Sequence, residues 1–242
     1  MLYVPVKGVE KMFHIHTYRC GHASKEKESE YIEKAITVGE KEIVFTVHAP
    51  FPGNPFENRM KFSELTEYVN TLKNLKAHYA GTIDVKIGLE IEYLPSYRSY
   101  YKELFESNIF EVLMIGQHFY ERGDGSFSFK DREREKEAEY CGNAILEGMS
   151  SGFFQYVAHP DRIFRYCEKW DSSASVIADK IWKSAKKYGI VLERNLGSME
   201  RKRQYWPEFW ERKIPDVNVI TGVDAHSVKQ MIKFSKIEKG ST

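Results

Sequence analysis

With 242 residues, 42% of them hydrophobic, the chain is long enough to bury a substantial core and reads as one undivided domain. Its 36 basic and 35 acidic residues leave a formal charge of +1, so no global field draws it to nucleic acid or to a membrane surface, and any anion must be caught locally. Three cysteines, Cys20, Cys141 and Cys167, with no Cys-x-x-Cys spacing argue against a disulfide framework and for a reducing, cytoplasmic setting. No apolar run reaches the roughly 20 residues of a bilayer span, and the N-terminus lacks the apolar stretch of a signal peptide.

Residues 1–11 (MLYVPVKGVEK) form a lead-in, and the domain is expected over 12–242. Met12–His16 reads as a short strand, in which regular alternation turns His14 and His16 to one side and Ile15 to the packing behind them. After Gly21 has let the chain turn, His22 can fold back toward the same point. Lys25–Val38 carries helical spacing through Tyr31, Ala35 and Val38 and stops at Gly39. Glu42–Val47 is a buried-type strand ending at His48, and the loop APFPGNPFENRM that follows is longer than a turn needs. Ser63 is expected to cap an amphipathic helix to about Tyr79, with His78 an ordinary residue near its end. Val85–Tyr93 is a third strand, on which Glu90 and Glu92 share one face, an acidic pair that needs partners.

The second half repeats the alternation. Tyr97–Glu106 reads as a helix, Phe110–Gly116 as a strand delivering His118, and 120–130 as a long loop or hairpin. Asp131–Ser151 is a helix with Ala138, Cys141, Ile145 and Met149 at core spacing. Phe153–Ala158 is a strand followed directly by His159-Pro160-Asp161-Arg162. Trp170–Tyr188 is a helix capped by Asp171 or Ser172 and stopped by Gly189. Ile190–Glu193 is a strand, 194–198 a polar loop, and Tyr205–Lys213 a segment whose two tryptophans cover the core. Val217–Thr221 is the last strand, running into Gly222-Val223-Asp224-Ala225-His226, with a short helix from about Val228.

Seven strands alternating with helices predict an α/β fold with a parallel sheet. A (β/α) barrel is expected over an open sheet because seven of the eight histidines, His14, His16, His22, His48, His118, His159 and His226, fall at or just past strand ends. No Gly-x-Gly-x-x-Gly follows the first strand, which weakens a dinucleotide-binding reading. With Glu90 and Asp224 these histidines make nine potential ligands, too many for one ion and enough for two or three. Neighbouring divalent ions turn a shared water into hydroxide near neutral pH and clamp the oxygens of an in-line phosphoryl displacement, so hydrolysis of a phosphate ester is the chemistry expected.

The pieces FHIHTYRCGH, VHAPFPG, GLEIEY, IGQHF, VAHPD and TGVDAHS, in that order over about residues 12–230, resemble the polymerase and histidinol phosphatase (PHP) superfamily. The FPG loop with RMKFSELTEYV, and HPDRIFRY, resemble its histidinol-phosphatase branch. The resemblance implies a single-domain, TIM-like distorted (β/α)7 barrel with a trinuclear centre of zinc, iron or manganese. It also implies hydrolysis of L-histidinol phosphate to L-histidinol and phosphate, in histidine biosynthesis, by a hydroxide held between metals. By position, His14, His16, Glu90 and Asp224 would hold one ion. Glu90, as a bridge, with His118 and His159 would hold a second, and His22, His48 and His226 a third. Glu90, Asp224 and His226 are the ligands it sets at the reacting centre.

A substrate phosphate also needs donors from the protein, and the planar fork of arginine suits it. Arg165 and Arg162 are the leading candidates, with Arg194, Arg201 and Arg203 behind them. Asp161 either orients a histidine or holds a turn, and Cys20, placed beside the histidines where a ligand could stand, reads as a bystander in preference to a ligand. Leu192-Glu193 and Asn195 follow the histidinol-phosphatase pattern, whereas Arg194 replaces an apolar residue and the next loop departs from Thr/Ser-Gly-Leu-Arg. The partner expected is a small-molecule phosphate ester. Competing readings are a PHP phosphoesterase acting on another ester or on phosphotyrosine, an amidohydrolase, an exonuclease module, and a non-catalytic metal-binding domain.

Overall fold

A computed structural model of the chain describes residues 12–131, 133–212 and 214–239. The lead-in over 1–11 lies outside them, as does Lys213 at the end of the tryptophan segment. In chain order the elements are β1 (Met12–Ile15), α1 (Glu28–Thr37), β2 (Glu42–His48), α2 (Leu65–His78), β3 (Asp84–Ile91), α3 (Arg98–Glu106), β4 (Val112–Ile115) and α4 (Glu137–Ser151). There follow β5 (Tyr156–Val157), α5 (Ser172–Tyr188), β6 (Val191–Asn195), α6 (Leu196–Met199), α7 (Pro207–Trp210), β7 (Val219–Gly222) and α8 (Val228–Lys239).

Among the described residues the seven strands form one sheet in the order β1 to β7, with parallel registers for β1–β2, β2–β3, β4–β5 and β5–β6. Just beyond β7 the backbone returns to β1: Val223 donates its N–H to Phe13 O, Ala225 donates to His14 O, and His16 donates back to Ala225 O. Parallel strands in sequential order, each followed by a helix and with the last returned to the first, are the topology of a (β/α)7 barrel, the fold class expected.

Several local readings change. Ser63 is not the cap of α2. Phe62–Glu64 wind a 3-10 turn, the Glu64 carboxylate accepts the Lys61 N–H at 2.6 Å, and the α-helix begins only at Leu65. Residues Arg134–Lys136 likewise form a 3-10 turn ahead of α4, which therefore starts later than its charge pattern suggests. β5 is only two residues long, although single backbone bonds flank it: the Gln155 N–H donates to Leu113 O at 3.1 Å and the Ala158 N–H to Ile115 O at 2.8 Å, while the Gln155 side chain accepts the Leu113 N–H at 2.9 Å. Residues 120–130 make a hairpin through an antiparallel bridge between Glu121 and Phe127, and the loop after β6 contains α6, capped by Asn195.

The residues cluster into two compact units. The first takes the described residues up to Glu90, Ile109–Val112 and those from Gly222 onward. Phe13, Ile15, Tyr31, Phe45 and Leu72 are fully buried in it. A Cβ on Gly88 of β3 would stand 2.7 Å from Val112 O and 2.9 Å from Phe45 O, so only glycine lets β3 lie that close to its neighbours. Buried Arg19 donates from Nε to Glu28 at 2.6 Å and pairs with Glu67, tying the loop after β1 to α1 and α2.

The second unit comprises Ile91–Asn108 and Leu113–Thr221. Ala174, Ala178, Ile181, Trp182 and Ala185 line the buried face of α5, the three- and four-residue spacing of an amphipathic helix. Asp171 caps α5 by accepting the Ala174 N–H at 2.8 Å, and Gly189 ends it in the left-handed region, as the sequence predicts. Trp206 and Trp210 are buried, and the Trp182 indole N–H donates to Phe209 O at 2.9 Å. His78 is exposed at the end of α2. No helix among the described residues is long and apolar enough to cross a membrane.

Candidate metal centre

In the first unit, five histidines and two carboxylates come from β1, the loop after it, and the C-terminal ends of β2, β3 and β7. The convergence of His14 and His16 does not come from regular alternation. The β1–β2 register jumps between Phe13 and Ile15, so His14 is the extra residue of a bulge, with φ of 72°. The two rings lie 4.9 Å apart. Asp224 is also left-handed, with φ of 47°. A non-glycine residue in that region costs on the order of 1–3 kcal/mol, which the ladder bonds between β1 and the chain after β7 offset.

The donor atoms of the first set are spaced as ligands of one ion would be. His14 Nε2 stands 3.5 Å from Glu90 Oε2 and 3.8 Å from Asp224 Oδ1, and His16 Nε2 stands 3.4 and 3.3 Å from the same atoms. Four ligands about 2.1 Å from a shared tetrahedral ion would lie about 3.4 Å from one another. Burial opposes ionisation of Asp224, yet the His16 hydrogen bond and the nearby imidazoles hold its carboxyl well below the usual range. Burial likewise opposes charge on His16, but Cys20, Asp224 and Glu90 raise its pKa well above an ordinary imidazole.

His22 and His226 carry the sharpest sign of a cation site. Each presents Nδ1 to a backbone carbonyl, Cys20 O at 2.9 Å and Asp224 O at 3.1 Å. A carbonyl only accepts, so both Nδ1 atoms carry hydrogen and both Nε2 atoms carry lone pairs. Those two Nε2 atoms face each other at 2.9 Å. Burial lowers the pKa of both rings, that of His226 to about 2 with His16 as the next cause, so a proton does not settle between them. A divalent ion suits such a pair. His48, the last residue of β2, is in register with Glu90 of β3 and has Nδ1 3.0 Å from Glu90 Oε2. Donor atoms of His16, His48 and His226 lie within 4.8 Å of one another, as do those of His14, His16 and Asp224. Ser24 N–H donates to His226 O at 2.9 Å, which pins the His22 loop.

Cys20 is more than a bystander. It is fully buried, with Sγ 3.2 Å from His16 Nδ1 and accepting the His48 N–H at 3.4 Å. Nothing in its spacing separates this role from that of a ligand or a core thiol.

The second unit holds the other two histidines. His118 presents Nδ1 to Glu92 Oε1 at 3.0 Å, and its ring lies 5.1 Å from that of His159. His159 is left-handed, with φ of 31°, and its N–H donates to Glu193 Oε2 at 3.1 Å. Asn195 donates to the same oxygen at 3.2 Å and caps α6 by accepting the Ser198 N–H at 2.8 Å. Glu193 and Asn195 thus fix the backbone of His159 from β6.

The arginines separate. Arg162 Nη1 reaches His118 Nε2 at 3.3 Å. Arg165 donates from Nη2 to His118 O at 3.1 Å and forms a buried ion pair of 2.5 Å with Glu137. The Arg194 guanidinium lies 5.1 Å from the centre of the Trp210 ring, and Arg201 and Arg203 are exposed. Asp161 neither reaches a histidine nor merely closes a turn. Its Oδ2 accepts the Trp206 N–H at 2.9 Å and the Trp210 indole N–H at 3.0 Å, and burial pushes its pKa up to about 7.

The model of the PHP domain matches residues 13–196. A candidate histidinol-phosphatase of Deinococcus radiodurans is 29% identical over 61% of this chain and 59% of its own length. The histidinol-phosphatase of Bacillus subtilis is 33% identical over 35% of the chain and 34% of its own. The chain therefore spans about three fifths and one third of these two relatives. The histidinol-phosphatase of Lactococcus lactis is 24% identical over 90% of the chain and 84% of its own length. Among solved structures, a candidate histidinol phosphatase of Listeria monocytogenes superposes with a TM-score of 0.74 at 20% identity, covering 91% of this chain and 97% of that one. The Lactococcus lactis histidinol phosphate phosphatase, in complex with zinc, L-histidinol and phosphate, gives 0.70 at 20% identity, covering 96% and 94%.

Proposed function

Because the chain belongs to the PHP domain family, we propose that it is a metal-dependent phosphomonoesterase that hydrolyses L-histidinol phosphate to L-histidinol and phosphate, a step of histidine biosynthesis. The observation that carries the reading is the pair of neutral imidazoles, His22 and His226, whose Nε2 lone pairs face each other beside the carboxylates Glu90 and Asp224. The names of the curated relatives support the substrate.

The residues that would hold ions are His14, His16, His22, His48, Glu90, His118, His159, Asp224 and His226, with three divalent ions of the zinc, iron or manganese class. When bound, such ions lower the pKa of water and neutralise charge on a phosphoryl group. The chain supplies the rest. Asp224, ionised, and His226, neutral, present lone pairs rather than protons at neutral pH. Arg162 offers a guanidinium fork for phosphate oxygens, while Arg165 steadies the His118 backbone against Glu137. Three cysteines without Cys-x-x-Cys spacing accord with a reducing, cytoplasmic setting.

The test is elemental analysis of the purified protein together with phosphate release from L-histidinol phosphate and a panel of phosphomonoesters, phosphotyrosine included. Two or three ions per chain with preferred release from L-histidinol phosphate supports the proposal. Ions with release only from other esters replaces the substrate, and neither ions nor release after reconstitution removes the enzymatic reading.

A further inference from the structure

The acidic pair at the end of the third strand divides its work. Glu90 faces His14, His16 and His48. Glu92, 1% exposed, instead has Oε1 3.0 Å from His118 Nδ1. Arg162 Nη1 lies 3.3 Å from the other ring nitrogen, Nε2. A guanidinium has only hydrogens to give, so Nε2 is the acceptor and Nδ1 carries the hydrogen donated to Glu92. Two partners on opposite sides of the ring thus define one tautomer. The backbone on both sides is also held. The buried Tyr101 hydroxyl donates to Glu92 O at 2.9 Å and accepts the Leu94 N–H at 2.9 Å, while Arg165 donates to His118 O at 3.1 Å.

We infer that Glu92 is a positioning residue for His118, holding the ring in the tautomer and orientation that present Nε2 to a divalent ion. The inference rests on the reading of His118 as a ligand. It adds a distinction among the histidines. His22 and His226 are oriented by neutral backbone carbonyls, whereas His118 is oriented by a carboxylate, which makes its Nε2 a more basic donor. An outer partner of this kind alters metal affinity by about 10–100-fold.

The experiment compares Glu92→Gln, Glu92→Leu and His118→Ala with the parent. Zinc content is measured by elemental analysis, zinc affinity by chelator competition, and the protonated ring nitrogen of His118 by 15N chemical shifts in metal-free protein. The expected result is a loss of zinc affinity of about 10-fold for E92Q and about 100-fold for E92L, with the Nδ1-protonated tautomer kept in E92Q and lost in E92L. Parental zinc affinity in either Glu92 variant overturns the inference, and E92Q carries the test if E92L does not fold. Parental zinc content and affinity in H118A would remove the ligand reading instead, whereas a loss in H118A with none in E92Q or E92L removes only the role of Glu92.

Discussion

His22 and His226, 204 residues apart in sequence, bring their Nε2 atoms to 2.9 Å, each with Nδ1 committed to a backbone carbonyl of its own loop. Two lone pairs at that distance repel, and an ion bound between them relieves the repulsion. A ligand at 100 times its Kd adds about 2.7 kcal/mol of stability, and each kcal/mol is worth about 2–4 °C in a chain of this size. Zinc added to the metal-stripped protein is therefore expected to raise Tm by about 5–10 °C, and His226→Ala to lose part of that rise. Calorimetry with and without zinc checks this, and an equal rise in both proteins would refute the pairing.

His16→Ala and Glu90→Gln each remove a donor from the set with 3.3–3.5 Å spacings. Both are expected to lower metal content by at least one ion and turnover by at least ~10²-fold, the scale of losing one preorganised electrostatic contact. Far-ultraviolet circular dichroism should be unchanged. Parental stoichiometry and rate would take these residues out of the centre.

Arg162 and Arg165 separate by kind of measurement. Arg165→Ala removes one partner of the ion pair with Glu137, whose side chain is 4% exposed, and removing one partner of a buried pair costs about 3–5 kcal/mol. The variant is expected to melt at markedly lower temperature. Arg162→Ala is expected to melt near the parent and to raise KM for the phosphate ester. A reversed pattern would exchange the two roles.

Asp161 gives a pH dependence of defined sign. Burial raises its pKa to about 7, above its unfolded value near 4. The folded state then binds more protons between those values, so its contribution falls as pH rises from about 4 to 7, by on the order of 4 kcal/mol in all. Asp161→Asn keeps an oxygen for the Trp206 and Trp210 donors and is expected to flatten that part of the stability–pH curve. Urea titrations of the metal-stripped parent and variant at pH 5 and 7.5 measure the difference, and parallel curves would argue against a neutral Asp161.

The sequence by itself determined the alternation of seven strands with helices, the barrel class, and the placing of seven histidines at strand ends. These depend on periodicity and on helix signals such as the cap Asp171 and the stop Gly189, each read from residues close to it in sequence. Tertiary structure decided the rest. The bulge at His14 arises because β1 is hydrogen bonded on one side to β2 and on the other to the chain beyond β7. The division between Glu90 and Glu92, identical in type and alternation, follows from which imidazole each meets. Cys20, Asp161 and Arg165 acquired partners 4 to 49 residues away, two of them in places their spacing does not indicate. Hydrogen-bond partners are chosen by distances of about 3 Å in space, which a residue's neighbours in sequence do not specify.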